Sequence, residues 1–136
     1  MEIVRMIIDF GLFILIWLTQ IIVYPGFKYM SQNEVSTWHS KYVARITALV
    51  APLMITQLGI IVYFVFRDPN IINLVCLAMV LVVWANTFFS AVPLHNKMTE
   101  SGDVRSVGSR LIKVNLVRTI CWTLIWVLGV VNYLVF

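Results

Sequence analysis

The sequence predicts an all-α integral membrane protein: a four-helix up-down bundle with both termini on the outer face. Three observations predict it. Of the 136 residues, 61% are hydrophobic and only 12% are charged, where a soluble domain carries about 25% charged residues; mean hydropathy is +0.93. Apolar stretches fall at about 3–24, 31–66, 69–99 and 103–133, each long enough to cross a hydrocarbon core of roughly 30 Å. Basic residues are also unevenly placed. Lys28, Lys41, Arg45, Lys97, Arg105, Arg110 and Lys113 flank the first and third connections, while Arg5 and Arg67 flank the opposite ends. The positive-inside rule puts the first and third connections in the cytoplasm. One domain, 1–136, is expected, with the lipid bilayer as its first partner and the bacterial cytoplasmic membrane as its location. The formal net charge of +4 does not imply nucleic acid, because basic residues at helix ends already match lipid phosphates.

The N-terminus lacks a basic region and a small-residue cleavage site, so the first apolar stretch is expected to stay as a helix. Arg5 and Asp9 lie four apart in its first turns and can pair on one face. Pro25-Gly26 is expected to end it. The second helix opens on Ser31-Gln32-Asn33-Glu34, a capping-box pattern. It is longer than a bilayer needs, so its first turns should project from the hydrocarbon, and Pro52 can kink it. Asp68 can cap the third helix, with Pro69 at the first helical position. That helix should continue past Pro93 toward Thr99, with Gly102 as its stop, and Asp103 can cap the fourth. Cys76 and Cys121 differ in depth by ~9 Å at the helical rise and form no CxxC motif, which favours apolar packing over a disulfide. Val23-Tyr24-Pro25…Met30 is echoed by Ala91-Val92-Pro93…Met98.

Counting depth at the helical rise brings polar residues of all four helices into one layer. Gln20 and Asn86 fall at ~26 Å from the outer end, Asn115 at ~29 Å, Arg118 at ~24 Å, and Thr47 and Arg45 at ~29 and ~32 Å. Such a layer can consist of interhelical hydrogen bonds that fix the bundle. Arg118 asks for more. The one carboxylate within a membrane segment, Asp9, lies at the other end, so Arg118 either snorkels to lipid phosphate, stacks on a tryptophan or holds an oxygen-rich ligand. His39 and His95, the only two histidines, share a face at ~40 and ~39 Å. They can exchange protons, face headgroups, or bind metal or haem with Glu34, Glu100 or Asp103 supplying oxygen, although no HxxxH or ExxH spacing supports a metal. Trp84 and Trp122 lie too deep for an interfacial belt and suit either core packing or the wall of a pocket for a flat apolar molecule. The expected pocket is lined by His39, Arg45, Asn86, His95, Asn115 and Arg118, with Trp84 and Trp122 beneath.

Pro93-Leu94-His95-Asn96-Lys97-Met98, a short acidic turn, then Asn115-x-x-Arg118-Thr119 and Trp122 resemble the small four-helix membrane proteins related to anthrone oxygenases. The resemblance covers mainly the third and fourth helices. In that family an asparagine often stands near position 95 and a tryptophan directly precedes the asparagine at 115, where this chain has His95 and Val114. The resemblance implies an oxygenase-like oxidoreductase acting on an apolar, aromatic or quinone-like small molecule without an obligatory organic cofactor. In such an enzyme His95 or His39 takes a proton, and Arg118 and Asn115 stabilise the oxyanion. The alternative is a non-catalytic membrane protein: a lipid or ligand binder, an accessory subunit or a homo-oligomer. A proton-coupled carrier is disfavoured by the lack of a carboxylate at mid-membrane.

Overall fold

A computed structural model describes residues 1–135 and is helical almost throughout. Four helices are long and apolar enough to cross a membrane: α1 (Glu2–Tyr29), α2 (Gln32–Arg67), α3 (Ile71–Ser101) and α4 (Val104–Val135). Around the bundle α1 packs on α2, α2 on α3, α3 on α4 and α4 on α1. Large apolar side chains such as Ile7, Ile21, Leu81 and Phe89 cover the outward surface. On helices of this length, that surface marks an integral membrane protein whose outer solvent is lipid tail.

The chain connections follow local chemistry. Ser31 caps α2 with the full capping box: its side chain accepts from the Glu34 N–H, and the Glu34 carboxylate accepts from the Ser31 N–H at 2.8 Å. Gly102 ends α3 at φ +62°, the left-handed conformation that glycine adopts freely. A side chain there would overlap the Gln32 backbone. Asp103 then caps α4, accepting from the Ser106 N–H at 3.0 Å. The Ser106 hydroxyl and N–H hold the Asp103 carboxyl below the usual carboxylate range. The cap is therefore kept at neutral pH and lost only as pH falls through that lowered value.

Two expectations are corrected here. Pro25-Gly26 does not end α1, which continues to Tyr29 through a wider π turn at Thr19–Val23. A proline ring clashes with the carbonyl four residues back and cannot donate to it. The wide turn absorbs both problems: the Tyr24 N–H reaches five residues back to the Thr19 carbonyl, and the Thr19 hydroxyl donates to Leu15 O at 2.8 Å. The same device recurs in α3. There the π turn is Thr87–Ala91, the Val92 N–H reaches Thr87 O, and the Thr87 hydroxyl donates to Val83 O at 2.8 Å. The sequence echo around the two prolines is thus an echo of backbone geometry, each with a threonine six residues before the proline. The second correction concerns α3, which is capped by Asn70, its side chain accepting from the Asn73 N–H at 2.9 Å. Asp68 and Pro69 lie in the preceding turn, where the Asp68 carbonyl accepts from Asn73 Nδ2 at 2.9 Å.

Two apolar clusters fill the interior. One joins Leu12, Met54, Val80 and Trp122 from the four helices; the other joins Phe27, Val35, Met98 and Leu111 nearer the Ser31 and Gly102 connections. Gly102→Ala should lower the unfolding midpoint in detergent micelles, because the new methyl meets backbone at a strained φ. Gly59→Ala, where nothing lies within 4 Å of a new Cβ, should raise it slightly, by about 0.5–1 kcal/mol.

Candidate functional site

Lipid offers no hydrogen bonds, so each polar side chain turned inward needs a partner on another helix. The bundle holds two such networks, one toward each end.

The network toward the N-terminus was not foreseen beyond its first pair. Arg5 and Asp9 are buried, with Arg5 Nε 3.5 Å from Asp9 Oδ2. Gln57 of α2 donates to Asp9 Oδ1 at 2.7 Å, and Arg5 donates to Asn73 Oδ1 of α3 at 2.8 Å. Trp122 of α4 donates from Nε1 to Gln57 Oε1 at 3.0 Å. The Arg5 guanidinium also lies over the Phe64 ring, 5.4 Å from its centroid. Gly129 of α4 passes so close that a Cβ there would sit 3.4 Å from Asp9 Oδ2. Asn73 and Gln57 are amides in otherwise apolar stretches opposite the lone buried acid; that rarity was the available signal for them.

The second network contains the expected site. Arg118 is buried and points inward: Nη2 donates to Asn115 Oδ1 at 2.7 Å and reaches the Tyr24 hydroxyl at 3.5 Å. Asn115 donates to Gln20 Oε1 at 2.7 Å. Tyr24 Oη is 2.9 Å from His95 Nε2; His95 Nδ1 is 3.1 Å from His39 Nε2; and His39 Nδ1 is 2.8 Å from Thr99 Oγ1. The Thr99 hydroxyl closes the series by donating to the His95 carbonyl at 3.1 Å. The two histidine rings stack with centroids 5.1 Å apart. His39 is fully buried behind Phe27 and Tyr42, so it does not face headgroups. All four imidazole nitrogens have protein partners, and a metal or haem on this pair would have to displace one of them. Among the described residues, no three His, Cys, Asp or Glu side chains gather into a metal-holding group.

Below this network lies a cavity of about 350 Å³ bounded by all four helices, within the usual range for small-molecule pockets, roughly 300–1,000 Å³. His95, Asn115 and Arg118 form part of its lining, with Tyr24 and Tyr42. Trp84 and Trp122 line its apolar part, as do Leu12, Met54 and Phe88. Its mouth is lateral. Ile55 of α2 and Phe88 of α3 line it yet are 61% and 55% exposed on the outer surface. The lining contains no carboxylate. Two lining residues keep buried donors without partners, Arg118 at Nε and Trp84 at Nε1.

Not all expected members are present. Arg45 is exposed and lies outside the lining: six residues beyond His39, it is rotated by roughly 240° on the helix. Asn86 also lies outside the lining, and its half-buried side chain keeps Oδ1 without a donor. It follows Trp84 by two positions, roughly 200° around the helix, so the two could not face one cavity. Tyr24, Tyr42 and Thr99 are the members that sequence reasoning left out of the site. Tyr24 carried a signal, since it shares a helical face with Gln20.

No family model matches the chain, and neither a curated protein nor a solved structure does.

Gln57→Leu should be strongly destabilising, because it strips Asp9 of a donor and Trp122 of its acceptor in one step. Each unsatisfied buried group costs about 1–3 kcal/mol. The unfolding midpoint in micelles should fall clearly, whereas Thr56→Leu, on the exposed neighbour, should leave it nearly unchanged.

Proposed function

We propose that the chain crosses the bilayer four times in up-down order, with both termini outside. On this reading the cavity takes an apolar, aromatic or quinone-like small molecule from the lipid. The observation that carries the reading is the cavity itself. It joins tryptophan and phenylalanine walls to a polar end built from Arg118, Asn115, Tyr24 and His95, and no carboxylate neutralises the guanidinium. A buried cation without a counter-ion costs several kcal/mol. A ligand oxygen, anionic or strongly polarised, offsets that cost, while its flat ring replaces lipid against Trp84 and Trp122. The lateral mouth between α2 and α3 lets such a molecule enter from the hydrocarbon without crossing water. The basic residues beside the Ser31 and Gly102 turns support placing this end at the cytoplasmic face.

A second reading, an oxygenase-like oxidoreductase, is favoured by the hydrogen-bonded series from Tyr24 to Thr99. Proton removal from a bound phenol or enol is the step such residues can assist, with Arg118 and Asn115 holding the oxyanion.

Menadione serves as a probe, since quinones quench tryptophan emission. In liposomes carrying the protein, quenching should saturate with menadione concentration. Arg118→Leu should weaken this by about tenfold or more, as expected for loss of a charged hydrogen bond. Quenching that rises linearly and equally in both proteins would count against the pocket. Single cysteines at residues 2 and 101, in a background lacking Cys76 and Cys121, should label from opposite sides of sealed vesicles. Labelling of both from one side would overturn the topology.

A further inference from the structure

The geometry points to a one-way hydrogen-bond chain, from Tyr24 through His95 and His39 to Thr99, that carries a proton out of the cavity. The inference rests on the reading above, that the cavity receives a molecule bearing an ionisable oxygen. The direction of the chain follows from its two ends. A guanidinium has donors only, so Arg118 Nη2 at 3.5 Å makes the Tyr24 oxygen an acceptor on that side. The one Tyr24 proton then goes to His95 Nε2, 2.9 Å away. At the far end the Thr99 hydroxyl spends its one proton on the His95 carbonyl. Its oxygen must therefore accept from His39 Nδ1, 2.8 Å away. The middle contact, His95 Nδ1 to His39 Nε2 at 3.1 Å, fits both ends in only one way. Both rings are neutral, and each carries its proton on Nδ1. The ends agree without sharing an atom, and that agreement is the observation on which the inference stands.

The path runs from the cavity outward. Tyr24 and His95 line the cavity, and His39 is fully buried behind them. Thr99 is half-buried and neighbours the exposed Glu100 near the end of α3. The groups packed around the relay are Phe27 of α1 and Tyr42 of α2, with Arg118 of α4 as its one fixed charge.

The step balances. A ligand O–H bond breaks as its proton moves to the Tyr24 oxygen, and the Tyr24 proton passes to His95 Nε2. The His95 Nδ1 proton passes to His39 Nε2, and the His39 Nδ1 proton to Thr99 Oγ1. The Thr99 hydroxyl, turned away from the His95 carbonyl that it meets at rest, releases its own proton to water on its exposed side. The products are a ligand oxyanion, one hydrated proton and two rings protonated on Nε2. His95 now donates to Tyr24, so the Tyr24 hydroxyl is free to donate to the new oxyanion beside Arg118. The reversed chain stabilises the product and is set to return the proton.

The chain has only two histidines, so nitrogen-15 histidine labelling reports these two rings alone. Solid-state NMR of the protein in lipid bilayers at neutral pH should show both rings neutral and protonated on Nδ1. Thr99→Val, nearly isosteric, should lose the pure Nδ1–H signature of His39. A ring protonated on Nε2, or a charged ring, in the wild type would overturn the inference with no ligand involved. As a second measurement, 1-naphthol added at neutral pH should show its naphtholate absorption band when bound, and the band should be lost in Thr99→Val. Naphthol that binds equally to both proteins yet stays un-ionised also overturns the relay. Naphthol that does not bind counts against the ligand-binding reading, and the ring tautomers still decide the relay.

Discussion

Arg118 must find its partners inside the bundle. It sits on a helix bathed in lipid, its guanidinium is buried, and ionised guanidinium is expensive to strip of water. What it finds are neutral oxygens: Asn115 on its own helix and Tyr24 on α1. Those contacts have consequences. Asn115 is turned so that its amide donates to Gln20, which ties α4 to α1. Tyr24 is held so that its remaining proton faces His95, which ties α1 to α3 and, through His39, to α2. One under-compensated cation thus orders polar groups on all four helices. Arg5 solves the same problem differently. It has Asp9 beside it, Asn73 as acceptor and Phe64 beneath, so its charge is met by a carboxylate where that of Arg118 is not.

The two prolines serve this arrangement through the turns that accommodate them. A π turn fits one more residue into a helical turn, so side chains beyond it are rotated relative to a regular helix. In α1 this happens immediately before Tyr24, and in α3 shortly before His95. The two residues that meet across the cavity therefore both lie just beyond a widened turn. Wide turns of this kind are common at functional sites.

Much of this was legible in the sequence, for identifiable reasons. Helix number follows from hydropathy. The start of α2 follows from Ser31 and Glu34, the stop of α3 from Gly102, and the Arg5–Asp9 pair from its spacing of four. The shared face and depth of His39 and His95 anticipated their contact, and Asn115, Arg118 and Trp122 fell together on one face of α4. What failed was rotation about the helix axis. Depth counting assumes a uniform rise, and it ranked Arg45 and Asn86 with the site because their heights match. Azimuth excludes Arg45, and the spacing from Trp84 already excluded Asn86. Reading Pro25-Gly26 as a terminus failed because the threonine six residues earlier lets the helix widen and continue. Gln57 and Asn73 were not legible because spacing pairs Arg5 and Asp9 with each other, and their further partners lie on other helices.

Arg118 is held by side chains inside the bundle and does not reach the lipid headgroups. Dipolar recoupling between arginine Cζ carbon and lipid phosphorus measures this distance in bilayers, with Arg118 isolated as the difference between wild type and Arg118→Lys. The Arg118 signal should show no phosphorus dephasing, together with a close contact between its guanidinium nitrogen and the Asn115 side-chain carbonyl carbon. Dephasing by phosphorus would place Arg118 at the headgroups and rule out its inward hydrogen bonds to Asn115 and Tyr24.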